Sequence, residues 1–465
     1  MTAKGIPRRV HLVGIGGVHM SAIAHVLLAW GHQISGSDQR LSPLTERLQA
    51  EGVTIYQGHA ASHLGDAELV VYTAAARPDN PELVEAKRRG LPLLQRAEMI
   101  ARLLEGRQAI AVAGSHGKTT TSALIAFMLQ EAGCDPTFLV GGEVIDLGTN
   151  ARAGRGEHIV VEADEFAGAF LHYRPQVAVV TNIEPDHLDF YGSFQRLTAA
   201  FRQFMSQVAA DGFLIACADD PTVRHILAHP EDDPPIQARI IRYGLQEHGG
   251  FFAENISPKG ICGYTFLLKY GAEPSTAFET HLTGVHQVNN ALAAIATASV
   301  LGLPRLAVGE ALARFRGVER RFQFVGEAAE ITIMDDYAHH PTEIQATIAA
   351  ARQRFPGRRL VCLFQPHTYS RTQYLLDGFR TCFQGVDQLL IAETYAAREE
   401  PSAGMSAQEL AQAIDSPPAS YVGGLEEAPL RVMKALRPGD VFFTIGAGDI
   451  DQVGTQVLEA LRKAP

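Results

Sequence analysis

Apolar residues in this chain fall into short blocks, each closed by a glycine turn and followed by a helix-length stretch. Residues 10–13 (VHLV) form an apolar run leading into Gly14-Ile15-Gly16-Gly17, and 20–31 (MSAIAHVLLAWG) then reads as a helix. A second strand at 32–35 ends in Gly36-Ser37-Asp38, and 69–73 reads as another buried strand. A new block starts at 108–113 (QAIAVA), passes through Gly114-Ser115-His116-Gly117-Lys118-Thr119-Thr120 and continues as a helix over 121–129, ending near Gly133. Buried strands are expected at 158–161 and 177–180. From 231 to 282 apolar and polar residues alternate between glycines and prolines, which predicts a small antiparallel sheet attached to the preceding unit. A helix over 289–302 closes that unit, and further strands are expected at 331–334, 360–364, 388–391 and 441–445. Strands alternating with helices predict an α/β fold with parallel sheets. The expected division is 1–105, 106–314 and 315–465: a Rossmann-like unit, a P-loop unit with the small sheet, and a second Rossmann-like unit.

Composition narrows the class. A chain of 465 residues, 46% hydrophobic and 20% charged, has the make-up of a globular protein of about three domains. Its net charge of −11, with no basic stripe, argues against a nucleic-acid partner. Five scattered cysteines without CxxC spacing fit free thiols in a reducing compartment rather than a disulfide framework or a zinc site. The first residues show no signal-peptide pattern, and no apolar run approaches the length of a membrane span. A cytoplasmic enzyme with no membrane anchor is the expectation.

The turn at 114–120 carries the clearest chemistry. A glycine-rich turn between a buried strand and a helix aims backbone N–H groups and the positive helix end at one spot, which suits the phosphates of ATP. Lys118 would reach the terminal phosphates, and the Thr119 hydroxyl would sit on Mg²⁺. The usual P-loop has a glycine five residues before Gly117, where this chain has Val112, so the loop is a shortened variant. Gly14-x-Gly16-Gly17, with Asp38 a little over 20 residues later, resembles the start of a dinucleotide fingerprint. The third glycine is replaced by His19, whose side chain is expected to obstruct close helix–strand packing. An NAD(P) oxidoreductase and a site for another diphosphate nucleotide both remain open on these residues. Two acidic strand ends, Glu162-Ala163-Asp164-Glu165 and the stretch from Thr181 to Asp189, should share the P-loop edge of the sheet and supply hard oxygen ligands for Mg²⁺. The role of His187 between them stays open, because imidazole suits softer metals.

Taken in order, GSHGKTTT, EADE, TNIEPDHLD, Gly284-x-His286 with Asn290, and Arg320-Arg321-Phe322 resemble the landmarks of the Mur ligase family almost end to end. Those enzymes form amide bonds in peptidoglycan synthesis using ATP. SGSD at 35–38, DNPE at 79–82, DDYAHHPTEI at 335–344, FQPHTYSRT at 364–372 and GAGDI at 446–450 are similar to the member that adds L-alanine to UDP-N-acetylmuramate. No lysine occurs between Lys118 and Lys259, so the carbamylated lysine of the later-step ligases has no counterpart. The alternative within the family is a ligase that takes a peptide or another amino acid.

The resemblance implies three site groups. Gly14, Ile15, Gly16, Gly17, Ser37, Asp38 and Thr73 would hold the UDP-sugar. Gly114 to Thr120, with Asn290 on adenine and Asp335 or Asp336 near the ribose, would hold ATP. Thr119, Glu162 and His187 would ligate Mg²⁺, with Asp164 and Glu165 as lesser candidates. Tyr337, His339, His340, His367 and Arg371 would form the amino-acid site, Arg371 gripping the carboxylate. Arg320 or Arg321 would reach the γ-phosphate, Arg320 being preferred. His19, Phe166-Ala167-Gly168, Gln287 and Thr73 depart from the family pattern.

Overall fold

The computed structural model describes residues 5–260, 262–397, 399–401, 404–414 and 416–463. Three sheets follow one another along the chain. The first contains β1 (Arg9–Val13), β2 (Gln33–Asp38), β3 (Thr54–Gln57), β4 (Leu69–Tyr72) and β5 (Leu93–Gln95), in the order β3-β2-β1-β4-β5 with every pair parallel. Its carboxyl edge, where ligands of such folds bind, carries the Gly14–Gly17 turn.

The second sheet has ten strands: β6 (Gln108–Ala113), β7 (Thr137–Val144), β8 (Thr149–Arg152), β9 (His158–Glu162), β10 (Val177–Val180), β11 (Phe213–Cys217), β12 (Arg239–Gly244), β13 (Phe251–Pro258), β14 (Tyr264–Tyr270) and β15 (Thr276–Thr280). The order is β15-β14-β13-β12-β11-β10-β6-β9-β7-β8. The alternating segment is therefore not a separate small sheet. β12 pairs in parallel with β11, and the antiparallel strands β13 to β15 prolong the same sheet from its edge. Parallel pairing hides the backbone of β11, so the alternation of the later strands marks a sheet with one wet face rather than a detached body.

The third sheet holds β16 (Gln323–Ala328), β17 (Ile331–Asp336), β18 (Leu360–Phe364), β19 (Gln388–Ile391), β20 (Ala419–Tyr421) and β21 (Val441–Ile445), in the order β16-β17-β21-β18-β19-β20. Only β16 is antiparallel to its neighbour.

Two helices fix the P-loop. Lys118–Glu131 is buried continuously from Thr119 to Leu129, as an all-round apolar helix must be, and packs on Val285–Val300, buried from Ala291 to Ala298. Both start a turn or so before the apolar pattern suggests. Gly117 (φ +79°) and Gly284 (φ +103°) supply left-handed starts that a hydrophobicity pattern does not show. No helix among the described residues is long and apolar enough to cross a membrane.

Candidate functional site

β6 ends in a loop that approaches its neighbours closely. A Cβ on Gly114 would lie 2.0 Å from the Thr181 hydroxyl, and one on Gly117 would lie 2.5 Å from Asn290 Oδ1, so both glycines are required by space as well as by φ. The Ser115 and His116 amides donate to the Asn182 carbonyl (3.0 Å) and Oδ1 (2.8 Å), which fixes the turn. The first helical bond runs from the Thr121 N–H to Gly117 O, leaving the Lys118, Thr119 and Thr120 amides as first-turn donors. Lys118 Nζ donates to both oxygens of Glu165 (2.8 and 3.0 Å) and to Gly114 O (2.5 Å). Burial pushes the Lys118 pKa down, but Glu165 beside it wins and holds it above the ordinary value.

Glu162, at the tip of β9, is buried and accepts from Thr119 Oγ1 (3.2 Å), from Ser122 Oγ (3.4 Å) and from the Gly141 amide. Thr119 and Glu162 thus offer paired hard oxygens beside the loop, a donor set that fits Mg²⁺. His187 begins a short helix in the left-handed region (φ +52°), and one ligand atom each from Glu165, Asp186 and His187 lie within 4.8 Å of one another. His187 thereby has oxygen partners, which fits a hard cation better than an imidazole alone would.

Three cavities meet at this point. A 530 Å³ cavity is lined from all three units, by Gly17, His19 and Thr73 from the first, Asp164, Asp186 and His187 from the second, and Tyr337, His339, His367 and Arg371 from the third. A 190 Å³ cavity shares His19, Asp164, His187, Tyr337 and His339 with it and adds the loop residues 115–119, Glu162 and Arg321. A 170 Å³ cavity shares His116, Gly117, Arg321 and Glu343 with the second and adds Thr120, Asn182, Asn290 and Asp336. Asn290 lies more than a turn inside its helix, whose N-cap is Gly284, so a capping role is excluded. Its Nδ2 donates to Gln287 Oε1 (3.0 Å), giving Gln287 a concrete task.

On the third unit Arg371 behaves as a planar fork. Its Nε and Nη2 donate to Asp186 Oδ1 (3.2 and 3.0 Å), and Nη1 lies 2.8 Å from His367 Nδ1. Burial opposes ionisation of Asp186, but Arg371 overrides it and keeps the carboxyl well below its usual range. Burial and then the neighbouring cation Arg371 push His367 down to about 2, and burial brings His339 to about 4, so both imidazoles are neutral at pH 7. Tyr337 carries the Arg320 and Arg321 guanidinium groups over its ring at 5.1 and 5.0 Å.

Three expectations change. Arg320 does not face the loop: its guanidinium donates to Asp335 (3.0 Å) and to the carbonyls of Gly446 and Gly448 (both 2.8 Å). Arg321 is the one that reaches the second unit, 3.5 Å from Thr119 Oγ1. Asp335 is correspondingly buried against Arg320 and the Thr444 hydroxyl and lines none of the three cavities, whereas Asp336 does. His340 is the buried N-cap of Pro341–Arg354, outside the 530 Å³ cavity, its ring 4.6 Å from that of His116. His116 itself lies between Glu343 (3.2 Å) and Glu184 (3.4 Å); burial opposes its charge, but the two carboxylates raise its pKa to about 10.

The first unit also departs from expectation. Every amide of the Gly14–Gly17 turn already has an acceptor: Gly14 and Ile15 donate to Ser37 O, Gly16 to Asp38 Oδ2 (2.9 Å) and Gly17 to Gly14 O. The amides left for a ligand are those of Val18, His19 and Met20, ahead of the first helical bond from Ser21 to Gly17. The Ser37 side chain is fully buried, bonded to Glu82 (2.6 Å) and His59 (2.9 Å), and lines none of the three cavities. Ile15 is core. Thr73 does line the cavity, and a Cβ on Gly14 would lie 2.5 Å from its methyl group. His19 leaves the helix–strand packing alone and turns toward Arg96 (2.8 Å).

Three family models cover nearly the whole chain: the Mur ligase family catalytic domain over 9–108, the Mur ligase middle domain over 112–298, and the Mur ligase glutamate ligase domain over 320–448. The chain belongs to the Mur ligase family. A UDP-N-acetylmuramate–L-alanine ligase of Anaeromyxobacter sp. is 44% identical over 461 residues, covering 98% of each chain. Among solved structures, UDP-N-acetylmuramate-alanine ligase MurC of Thermotoga maritima aligns over 98% of this chain and 100% of its own at TM-score 0.83 and 29% identity. A murein peptide ligase of Psychrobacter arcticus aligns over 99% and 100% at TM-score 0.76 and 26% identity. As a Mur ligase this chain is an ATP-dependent, amide-forming enzyme, and the oxidoreductase alternative falls.

The sequence assigns no individual role to Arg96, Asn182, Asp186 or Glu343. Asn182 and Asp186 lie inside the TNIEPDHLD landmark, and Glu343 inside DDYAHHPTEI, so their neighbours pointed to them. Arg96, which donates to Asp164 Oδ2 at 2.8 Å, carried no such signal.

Proposed function

We propose that this chain joins the amine of L-alanine to the carboxyl group of UDP-N-acetylmuramate, converting ATP to ADP and phosphate. The observation that carries the reading is the 530 Å³ cavity lined from all three units and sharing His19, Asp164 and His187 with the P-loop cavity. A substrate carboxylate, a phosphoryl donor and a cation for an amino acid's carboxylate can all meet there. The division of labour is residues 1–105 for the nucleotide sugar, 106–314 for ATP and 315–465 for the amino acid.

A carboxylate is a poor electrophile because an oxide-like group must leave. Attack of its oxygen on the γ-phosphorus breaks the bond to ADP and makes an acyl phosphate; attack by the alanine amine on that carbonyl then expels phosphate. Lys118 and the Lys118–Thr120 amides hold the negative charge of the transferring group, and Arg321 approaches it from the third unit. Thr119, Glu162 and His187 would hold Mg²⁺, with Glu165 and Asp186 close enough to His187 to complete a second site. Bound there, Mg²⁺ neutralises phosphate charge. Asn290 lies beside the loop where adenine would enter, and Asp336 takes the place proposed for Asp335 near the ribose.

Arg371 is assigned to the alanine carboxylate, with neutral His339 and His367 beside it and Tyr337 closing the cavity. Closure over this point excludes water from the acyl phosphate. The deciding experiment is phosphate release from ATP with UDP-N-acetylmuramate while the second substrate is varied. Dependence on L-alanine is expected; dependence on a tripeptide instead would place the chain with the peptide-adding ligases.

A further inference from the structure

His19 stands where the glycine pattern of the first turn has its third glycine, and it lines both the 530 Å³ cavity and the P-loop cavity. Its Nδ1 lies 2.8 Å from Arg96 Nη1, while Arg96 Nη2 donates to Asp164 Oδ2 at 2.8 Å. A guanidinium only donates, so Nδ1 must present its lone pair and the proton of the neutral ring sits on Nε2. Nε2 is buried and has no hydrogen-bond partner among the described residues. A buried N–H left unpaired is unfavourable, so a group that supplies an acceptor gains from meeting it. The helix Val18–Ala29 begins one residue earlier, so its unpaired first-turn amides share this seam with the imidazole.

We propose that the Nε2–H of His19 donates to an anionic oxygen of the nucleotide-sugar substrate, making His19 a binding residue of the first unit and Arg96 the residue that sets its tautomer. The proposal rests on the nucleotide-sugar reading given above. Among the first-turn residues, His19 supplies from its side chain what the Gly14–Gly17 amides, already bonded within the turn, do not. The oxygen belongs either to the diphosphate or to the muramyl carboxylate, since the residue borders both the turn and the P-loop cavity.

The test compares His19→Leu, which removes the donor, with His19→Gln, whose amide can replace it. The Michaelis constants for UDP-N-acetylmuramate, ATP and L-alanine are measured by phosphate release, and UDP and UDP-N-acetylmuramate are titrated calorimetrically. His19→Leu is expected to raise the UDP-N-acetylmuramate KM about tenfold or more, the usual effect of losing a hydrogen bond to a charged group. The ATP and alanine constants should stay within about twofold, and His19→Gln should recover most of the loss. Weaker UDP binding in His19→Leu assigns the diphosphate; weakening confined to UDP-N-acetylmuramate assigns the carboxylate. An unchanged UDP-N-acetylmuramate KM in His19→Leu, or equal impairment of the two variants, overturns the proposal. Should His19→Leu not fold, His19→Ala takes its place in the same comparison. Absence of any phosphate release by the unmodified protein would instead sink the nucleotide-sugar reading itself.

Discussion

The chain contains two glycine turns between a buried strand and a helix, and they solve different problems. At Gly14–Gly17 all four amides are bonded within the first unit, to Ser37, Asp38 and Gly14, and no cation stands in the turn. At Gly114–Gly117 two amides are tied to Asn182, and the helix that follows opens with Lys118 and Thr119. Two glycine turns in the same strand–turn–helix setting thus yield one that mainly shapes the chain and another that presents charge. What separates them is the residue after the last glycine and the strand end opposite: Glu162 and Glu165 face the second turn, whereas the buried Ser37 and the half-exposed Asp38 stand beside the first.

The largest effect belongs to Lys118. Lys118→Ala should lower kcat by roughly 10²-fold or more. It should also destabilise the protein by about 3 kcal/mol, because the buried Glu165 loses its partner. Phosphate release and urea unfolding measure the two effects, and near-normal turnover would erase the distinction between the turns. Arg321→Ala should come next, lowering kcat/KM for ATP by about tenfold through loss of a charged group near the phosphates. Arg320→Ala should lower the Tm with a smaller kinetic change, because its guanidinium ties Asp335 to two carbonyls; equal kinetic losses would reverse the assignment.

Gly14→Ala sharpens the other side of the comparison. The left-handed φ (+81°) and the Thr73 methyl group at 2.5 Å should together remove about 1–3 kcal/mol of stability. The nucleotide-sugar KM should rise several-fold, with the ATP KM unmoved. The last prediction concerns pH. His116 is raised from 6.5 to about 10 by Glu343 and Glu184 against its burial, so its stabilising contribution is complete below pH 6.5 and fades as pH climbs toward 10. Thermal unfolding should show a decline over that window, and His116→Asn should flatten it. A decline of equal size in the variant would show that other groups cause it.

Much of the fold could be read from short apolar runs: the strand stretches at 360–364, 388–391 and 441–445 coincide with β18, β19 and β21. The helix starts at Lys118 and Val285 could not be read this way, because a left-handed glycine sets them and hydrophobicity does not record φ. The continuity of β12 with β13 was hidden for a related reason, since pairing direction is a tertiary choice. At the site, local motifs gathered the loop, Glu162, His187, Tyr337, His339, His367 and Arg371 around neighbouring cavities. Adjacent arginines defeated the sequence, because Arg320 and Arg321 differ only in where the backbone turns; Arg320 has φ +60° and is drawn into its own sheet.

The Lys118–Glu165 pair has a further consequence. Glu165 is tethered to the same molecule, so it competes for Lys118 at a fixed, high effective concentration that dilution cannot lower. An incoming anion must win the lysine from this internal rival, and its apparent affinity is reduced by the fraction of molecules in which the rival holds on. Neutralising Glu165 would relieve that self-competition, so the resting enzyme keeps this anion-seeking lysine occupied until a better anion arrives.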